Sequence, residues 1–543
     1  MKKIFRIFSI LVMSAIALSS CIEETFPESS SATSEQIGAS ASALEASLNG
    51  MPSQMAQGYL VYESQVHETD MSYPQFMIAQ TEMLGDMYPF GSNSGYDWYR
   101  NYNTFNGTFG ETSYFAYLPW FTLYKLIKSA NDVIGAVDIT DENATDAIKG
   151  NAGIAYAYRA FYYYLLTVFF EPVDNIYTDC SKVLGLTVPF VTEATTGEMA
   201  KNNPRATHDE MIAFILSDLE KAEECLSNYT PSSKMFPTLP VVYGIRAKVH
   251  LWDEDYANAA FYARKAIDAS GASPITEAQW NDVNTGFNTA NQAWMWYTHY
   301  SAENMGNLCN FIGWMSGEAD WGYSSFTCPG IDRSLYEKIA DNDFRKYSFL
   351  DPAKYDYYNY QTSRNEAWVK SAPAYLSLKF RCLNGNWEDY SVGGAVDVPV
   401  MRVEEMYLIE AEAVGMSQGY TAGVAKLNSF MQNYRQPDYE CPATDERSFQ
   451  LEVLTQMRIE FWGEGNAFPS AKRIKPGIMQ NYEGTNAPEE IFKINCEGIK
   501  PNWNLVIPKT EIEANPALVG WNNPDPTATV KAPSPVGAYS QPK

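Results

Sequence analysis

Apolar residues recur at helical spacing along most of the chain, and the clearest segments come in pairs. Between Leu118 and Val137 they include Leu118, Phe121, Leu126, Ile127 and Ile134, and Ile154 to Phe170 is nearly all apolar or aromatic. A helix that is apolar on every side is buried, so we predict a buried helix pair here. Pro172 closes it, because proline cannot continue an α-helix.

A further helix is predicted to begin at Thr207. Its hydroxyl can cap the first turn, and Glu210, three residues later, can complete a capping box. Apolar residues then follow at helical spacing from Met211 onward. A last helix is predicted from about Phe449 to Trp462.

One helix pair recurs in the chain. It consists of residues 241–252 and 256–269, separated by the polar break Asp253-Glu254-Asp255. Four residues recur at a constant offset of 164, namely Tyr243 and Tyr407, Ile245 and Ile409, Ala247 and Ala411, and Tyr256 and Tyr420. Helix, short break and a second helix with small contact residues is the arrangement of a TPR unit. The pattern predicts an all-α scaffold of dispersed TPR-like helix pairs.

Three long stretches, 85–117, 286–330 and 351–390, do not follow helical spacing and are rich in Gly, Asn, Ser and aromatic residues. Loops of this length in a compact body are usually functional or disordered, and a high aromatic content argues against disorder. We therefore predict ordered, functional loops.

The two ends of the chain differ from the body. Residues 1–20 have the basic start and short apolar run of a signal peptide, and that run is too short to cross a bilayer. Leu18-Ser19-Ser20-Cys21 resembles a lipobox, which makes Cys21 the predicted lipidation site. Residues 21–43 are predicted to be a flexible tether, 44–520 the helical domain, and 521–543 a Pro-rich extended tail.

The formal net charge of -26 makes nucleic acid an unsuitable partner and argues against adhesion to anionic lipid through basic patches. Membrane attachment is expected to come from acyl chains on Cys21. After Cys21 the chain has seven cysteines without a CxxC or CxxH pair, and only four histidines. We predict no metal site and no cofactor.

No catalytic motif is present: the sequence has no HExxH, no Gly-x-Ser-x-Gly, no P-loop and no Gly-x-Gly-x-x-Gly. The 65 acidic residues leave a glycoside hydrolase open as a minor alternative, since any two could form a pair. We predict that the protein is not an enzyme.

Aromatic residues are concentrated in the irregular stretches. Sugar rings present flat C–H faces and a rim of hydroxyls, so a site that reads them needs aromatic platforms beside polar groups. Each ring taken alone can instead pack its loop onto the helices, and that alternative stays open. The candidate glycan-binding residues are Tyr96, Asp97, Trp98, Tyr99, Arg100, Asn101, Tyr102, Trp294, Trp296, Tyr297, Trp314, Trp321 and Tyr323.

The chain resembles the SusD/RagB family of outer-membrane nutrient-binding lipoproteins over nearly its whole length. The resemblance is carried by Tyr117-x-x-Trp120, residues 130–134 and 159–164, Arg205-Ala206-Thr207, residues 247–259 and 402–413, Arg458-Ile459-Glu460-Phe461 with Gly463-Glu464-Gly465 and Lys472-Arg473, and Ile507-Pro508 with Asn515-Pro516.

This resemblance implies about four TPR-like units, an irregular ligand-binding region above them, and a SusC-like TonB-dependent transporter as permanent partner. The leader resembles that of Bacteroides lipoproteins, in which acidic residues such as Glu23 and Glu24 after the cysteine mark export to the outer face of the outer membrane. We expect a non-catalytic, surface-anchored glycan-binding subunit. Peptide binding, as in RagB-like members, and a TPR assembly scaffold remain the alternatives.

Overall fold

The computed structural model of the chain describes residues 41–57, 72–90, 99–104, 109–303, 310–351 and 361–529, and these residues are mainly α-helical. The helices are α1 (Ala41–Ala56), α2 (Tyr73–Leu84), α3 (Arg100–Thr104), α4 (Tyr114–Ile134), α5 (Asp146–Phe170), α6 (Gly197–Ala200), α7 (His208–Leu226), α8 (Leu239–Trp252), α9 (Tyr256–Ser270), α10 (Glu277–Trp280), α11 (Phe311–Met315), α12 (Ser324–Thr327), α13 (Arg333–Tyr336), α14 (Glu366–Ser371), α15 (Tyr390–Gly393), α16 (Val403–Gln418), α17 (Tyr420–Tyr434), α18 (Glu446–Glu460), α19 (Ala467–Ile474), α20 (Lys509–Ala514) and α21 (Pro526–Thr529). The predicted all-α class is confirmed.

Six short strands form three antiparallel pairs within the described residues. They are β1 (Met87–Pro89) with β3 (Pro329–Ile331), β2 (Trp294–His299) with β4 (Asp397–Arg402), and β5 (Ile478–Met479) with β6 (Asn495–Cys496). Each pair is a separate two-stranded sheet that joins segments distant in sequence, so the strands do not form a sheet layer.

The long helices form a continuous row in the order α4, α5, α7, α8, α9, α16, α17 and α18, each packed on its neighbour. The predicted helix pair is present, and α5 begins eight residues before Ile154, where Thr145 accepts a hydrogen bond from the Ile148 amide. The predicted capping box is also confirmed, since Thr207 and Glu210 cap each other at the start of α7. Glycine lets α5 and α7 approach closely, because a Cβ at Gly153 would stand 2.7 Å from the Cβ of Cys225.

The repeated segments form two helix pairs, α8 with α9 and α16 with α17, as the offset of 164 predicts. In α9 the side chains of Ala259, Ala263 and Ala266 are fully buried, which allows close contact with α8 and α16. At the second pair, Gly415 and Gly423 leave room for the ring of Phe449 from α18.

Two boundary predictions were wrong. Helix α1 begins at Ala41, inside the predicted tether, because Leu44, Leu48, Met51 and Met55 lie on one helical side that is buried. Pro526–Thr529 form one helical turn inside the tail predicted to be extended, with Pro526 at the first position, where its missing N–H costs nothing. Cys21 and the remainder of the tether and the tail lie outside the described residues.

A network of fully buried charges lies where α16, α18 and the irregular segments meet. Glu460 accepts hydrogen bonds from Arg345 at 3.1 Å, Arg402 at 3.1 Å and Arg435 at 2.7 Å. Glu464 accepts from Arg402 at 2.8 Å and from Lys379 at 2.6 Å. Burial alone would raise the pKa of Glu460, but the three guanidinium groups hold that pKa well below its usual range.

The sequence motifs that carry the family resemblance supply much of this network, including Arg402, Glu404, Glu460 and Glu464. A buried carboxylate is tolerated only when it is paired and hydrogen-bonded. These motif residues therefore hold the irregular segments to the helical row and have no exposed surface with which to bind a ligand.

Candidate functional site

The three irregular stretches, far apart in sequence, meet one another in the folded protein. The first meets the second through the pairing of β1 with β3, in which Tyr88 lies opposite Gly330. The second meets the third through a bridge between Gly330 and Leu376, and through the Asp320 amide, which donates to the Trp387 carbonyl at 2.9 Å. We call the surface formed by α3, residues 310–331 and residues 361–393 the loop face.

Rings from the two predicted aromatic clusters come together beneath this face. Tyr323 lies parallel to Trp314, with ring centres 4.0 Å apart and planes 7° apart. Tyr99, from the first stretch, meets the edge of Trp314 at 5.0 Å. Tyr323 is half-buried, so part of its ring is open to solvent, while the two rings behind it are buried.

Four predicted platforms near this face are too deeply buried to stack on a sugar. Tyr99, Tyr102, Trp314 and Trp321 are 0–5% exposed, and Tyr102 donates its hydroxyl proton to the Phe115 carbonyl at 2.9 Å. The expectation that these rings present open faces was wrong. Their bulk instead supports the loops, which is the packing role that remained open for any single ring.

Trp294 and Trp296 were also wrong as platforms, because both are 0% exposed. They lie on β2, where the Trp296 ring packs 5.0 Å from Phe161 of α5 and its N–H donates to the Met235 carbonyl at 3.1 Å. Tyr297, half-buried on the same strand, has its ring 6.4 Å from Trp294. Strand β2 therefore belongs to the helical core and not to the loop face.

The polar candidates lie on and beside α3. Arg100 and Asn101 are half-buried on this helix, and Arg100 lies 3.7 Å from the Glu489 carboxylate. Tyr96, Asp97 and Trp98 precede α3 and lie outside the described residues, so their role stays a prediction.

Buried polar side chains donate hydrogen bonds to helix α3 and fix its position. The Lys500 ammonium donates to the carbonyl and the side-chain oxygen of Asn103, at 2.8 and 3.0 Å. The Asn502 amide donates to the Tyr102 carbonyl at 2.9 Å, which also satisfies the helix end. Burial lowers the pKa of Lys500 to about 8. This support fixes the orientation from which Arg100 and Asn101 project.

Sequence reasoning did not single out a second aromatic platform on the loop face, which is built around an arginine. The guanidinium of Arg364 lies 3.8 Å from the ring centre of Trp387 and 4.9 Å from that of Trp368. Its Nη1 donates to the Glu318 carbonyl at 2.7 Å. Both indoles are half-buried and therefore keep exposed surface. We call Arg364, Trp368 and Trp387 the Arg364 platform.

A signal for this platform was present, since it falls in the third stretch, which is poor in helical spacing and rich in aromatic residues. The spacing of 19 residues between the two tryptophans could not show that one arginine joins them.

Buried polar groups behind the platform differ in whether they have hydrogen-bond partners. Glu318, which is 0% exposed, accepts hydrogen bonds from Arg381 at 3.0 Å and from the Ser363 amide at 2.9 Å. By contrast, the buried indole N–H groups of Trp314 and Trp321 have no acceptor in the described part of the chain. These two groups are buried with the rings that carry them, so they do not extend the open surface of the face.

The described ranges contain no group of three or more His, Cys, Asp or Glu side chains arranged to hold a metal ion. Within those same ranges, no helix has both the length and the apolar character needed to cross a membrane. Chemically, the loop face offers flat aromatic surface, one stacked guanidinium and several carboxylates, which is suited to binding through stacking and hydrogen bonds.

The described residues therefore form a helical protein with an irregular, aromatic-lined loop face. Residues 193–525 match the sequence profile of the SusD family, and residues 36–251 match a profile described as starch-binding and associating with the outer membrane. The chain belongs to the SusD family. The SusD-like protein P38 of Formosa agariphila is 31% identical over 170 residues, which cover 31% of this chain and 29% of that relative.

Solved structures show the same fold over most of the chain. A SusD-like carbohydrate-binding protein from Bacteroides vulgatus superposes with a TM-score of 0.69 at 21% identity, covering 88% of this chain and 96% of the other. A SusD superfamily protein from Bacteroides thetaiotaomicron gives a TM-score of 0.67 at 17% identity, covering 88% and 98%.

Proposed function

We propose that the protein is a non-catalytic, lipid-anchored glycan-binding subunit on the outer face of the outer membrane, which delivers its ligand to a SusC-like TonB-dependent transporter. The observation that carries this proposal is the convergence of three distant stretches on one face with half-exposed rings at Tyr323, Trp368 and Trp387. Family membership supports it, as does the carbohydrate-binding description of a protein that shares the fold.

The chemistry of the loop face fits a sugar better than an extended peptide. Peptide capture commonly uses the unpaired edge of a sheet, whose backbone groups bind the ligand as an added strand. The two strands that end at the loop face, β1 and β3, are three residues long and pair with each other. Aromatic faces beside Arg364 and Asn101 match a ring with C–H faces and hydroxyls.

Polar groups on the loop face would then set the orientation of the ligand. Arg100 and Asn101 on α3 follow Trp98 closely in the sequence, and Trp98 stays a predicted platform. Cys21 is the predicted anchor, and the tether predicted after it would separate the body from the membrane.

The test is binding of the purified soluble body to soluble polysaccharides, measured by affinity electrophoresis and calorimetry. The variants are Trp387→Ala, Trp368→Ala and Tyr323→Ala, and each is expected to weaken binding about tenfold, since one aromatic stacking contact contributes about 0.5–1.5 kcal/mol beyond the area it buries. Trp521→Ala is the matched control, because that indole is 44% exposed but packs with Lys182 on a different surface.

Unchanged binding in all three variants would show that the loop face is not the binding surface. If the parent binds no polysaccharide but retains a peptide from a defined peptide pool, the carbohydrate proposal is wrong and the RagB-like alternative replaces it. Release of shorter sugars from a bound polymer would contradict the non-catalytic assignment.

The partner is tested separately with the full lipidated chain in its native membrane. A TonB-dependent barrel should co-purify with the parent, and Cys21→Ser should release the protein from the membrane fraction. If the parent protein is purified in mild detergent and no barrel protein accompanies it, the transporter part of the proposal is contradicted.

A further inference from the structure

The charges of the loop face divide into closed pairs and an open excess. Glu318 and Arg381 are buried together at 3.0 Å, so their charges cancel. Arg100 lies 3.7 Å from Glu489, which cancels a second pair at the edge of the face. Lys370 lies 2.6 Å from Glu366, which cancels a third pair. What remains determines how the face responds to a charged ligand.

Among the described residues of the loop face, three exposed carboxylates then remain against one guanidinium. Asp320, Glu388 and Asp389 are exposed, while Arg364 is half-buried among them. One positive and three negative charges leave a net charge of -2 on this part of the face. Hydrogen bonds from Ser391 lower the pKa of Asp389, so this carboxylate stays ionised at neutral pH.

Arg364 is poorly placed to neutralise an incoming anion. Its guanidinium carbon lies 3.8 Å from the ring centre of Trp387 and 4.9 Å from that of Trp368, and its Nη1 donates to the Glu318 carbonyl. Burial lowers the pKa of Arg364, whereas the carboxylates of Asp320 and Glu388 act in the opposite direction.

We propose that the loop face selects neutral glycans and discriminates against glycans that carry carboxylate or sulfate groups. This inference rests on the proposed function and names the substrate class of that same site. A sugar stacked on Trp387 would lie beside Glu388 and Asp389, the next two residues, and beside Asp320, whose amide donates to the Trp387 carbonyl at 2.9 Å. Charges closer than the Debye length, about 8 Å at physiological ionic strength, are only partly screened from one another. Beside indole rings the local dielectric is low, so like-charge repulsion is screened less than in open water.

The long-range field acts in the same direction. The whole chain carries a formal net charge of -26. Such a field slows the approach of polyanions and leaves neutral polymers unaffected, and its effect falls as salt is added. Selection therefore has a local part, set by three carboxylates, and a general part, set by the whole surface.

The experiment compares each neutral polymer with its own acidic derivative. Amylopectin, barley β-glucan and galactomannan are assayed beside the same polymers oxidised at C6 to the uronate, at 0.15 M and 0.5 M NaCl. We expect the parent to bind the uronate form of its preferred polymer at least about tenfold more weakly at the lower salt, and the difference to shrink at the higher salt.

The double variant Asp320→Asn/Glu388→Gln separates the local field from sterics. It should bring the uronate form to within about threefold of the neutral form while leaving the neutral affinity within about twofold. Glu220→Gln/Glu224→Gln on the exposed side of α7 is the matched control, because it removes the same two charges from another surface. That control should leave the discrimination of the parent in place.

Three outcomes overturn the inference. Equal binding of neutral and oxidised polymers by the parent refutes the selectivity and leaves glycan binding intact. Discrimination that persists unchanged in Asp320→Asn/Glu388→Gln refutes the carboxylates as its cause. Binding of no polymer at all refutes the proposed function and the inference together.

Discussion

Trp296 and Trp387 differ in how far the folded protein exposes them. Trp296 is fully buried on β2 and packs against Tyr158 and Phe161 of α5. Trp387 is half-buried on the loop face and covers the Arg364 guanidinium at 3.8 Å. The first ring stabilises the helical body and the second leaves surface for a ligand, although both lie in stretches without helical spacing.

Arginines differ in the same way between the two regions. Arg402 and Arg435 of the body are 1–3% exposed and bind buried carboxylates, so charge is matched by charge. Arg364 of the loop face lies beside two indoles, and the exposed carboxylates around it outnumber it. Residues of the family motifs belong to the first kind, which explains why the motifs identify the fold and not the ligand.

The largest effect is expected from Glu460→Gln in the body. It removes the carboxylate charge shared by Arg345, Arg402 and Arg435 and leaves buried guanidinium groups under-compensated. Breaking a buried ion pair costs about 3–5 kcal/mol, which denaturant unfolding should show as a lower midpoint. Glu490→Gln, in an exposed pair with Lys493, is the control and should cost less than about 1 kcal/mol. Equal midpoints for both variants would contradict the role assigned to the network.

Trp296→Ala is expected to rank next, with a loss of about 3–4 kcal/mol in the free energy of unfolding, because it leaves a cavity against α5. Where the variant is still folded, its glycan affinity should match that of the parent. Trp387→Ala should show the reverse, with less than about 1 kcal/mol lost in stability and weakened binding. A binding defect in folded Trp296→Ala would erase the division between body and loop face.

A smaller effect is expected from His208, which links three helices of the body. Its Nδ1 lies 2.8 Å from the Glu171 carboxylate at the end of α5, and its Nε2 lies 3.0 Å from Asp253 at the end of α8. The hydrogen bond to Glu171 raises the pKa of His208 to about 9. Because the folded-state pKa is raised, the stabilisation is complete below about pH 6.5, the ordinary histidine value, and is lost as pH rises to about 9.

His208→Gln should therefore cost about 1–2 kcal/mol at pH 6 and much less at pH 9.5 in denaturant unfolding. The control is His299→Gln, which removes an exposed histidine paired with Asp397 alone. A cost for His208→Gln that does not change between the two pH values would show that the ion pairs do not supply the stabilisation.

Much of the helical body could be predicted from the chain. The capping box at Thr207, the end of α5 before Pro172, and the two repeated helix pairs depend on contacts between residues close in sequence. Such local interactions leave a periodic signal. Helix α1 was missed because its apolar side begins beside a Ser- and Ala-rich segment whose composition is typical of a linker.

The loop face could be predicted only in part. Aromatic density indicated which stretches matter, and Tyr323 and Trp314 do meet Tyr99 there. Density did not distinguish rings that fill the interior from rings that reach solvent, because both kinds occur in the same irregular sequence. Arg364 was missed for the same reason, since its two indole partners carry no fixed spacing.

By itself the sequence determined the all-α class, the paired helices and the family, because helix periodicity, caps and matched buried charges all act over short distances or recur as motifs. Only the tertiary structure decided which aromatic rings are open, since exposure depends on what distant segments bring to a ring's other side. The pairing of β1 with β3 and the packing of β2 against α5 made that decision, burying Trp296 and leaving Trp387 at the surface.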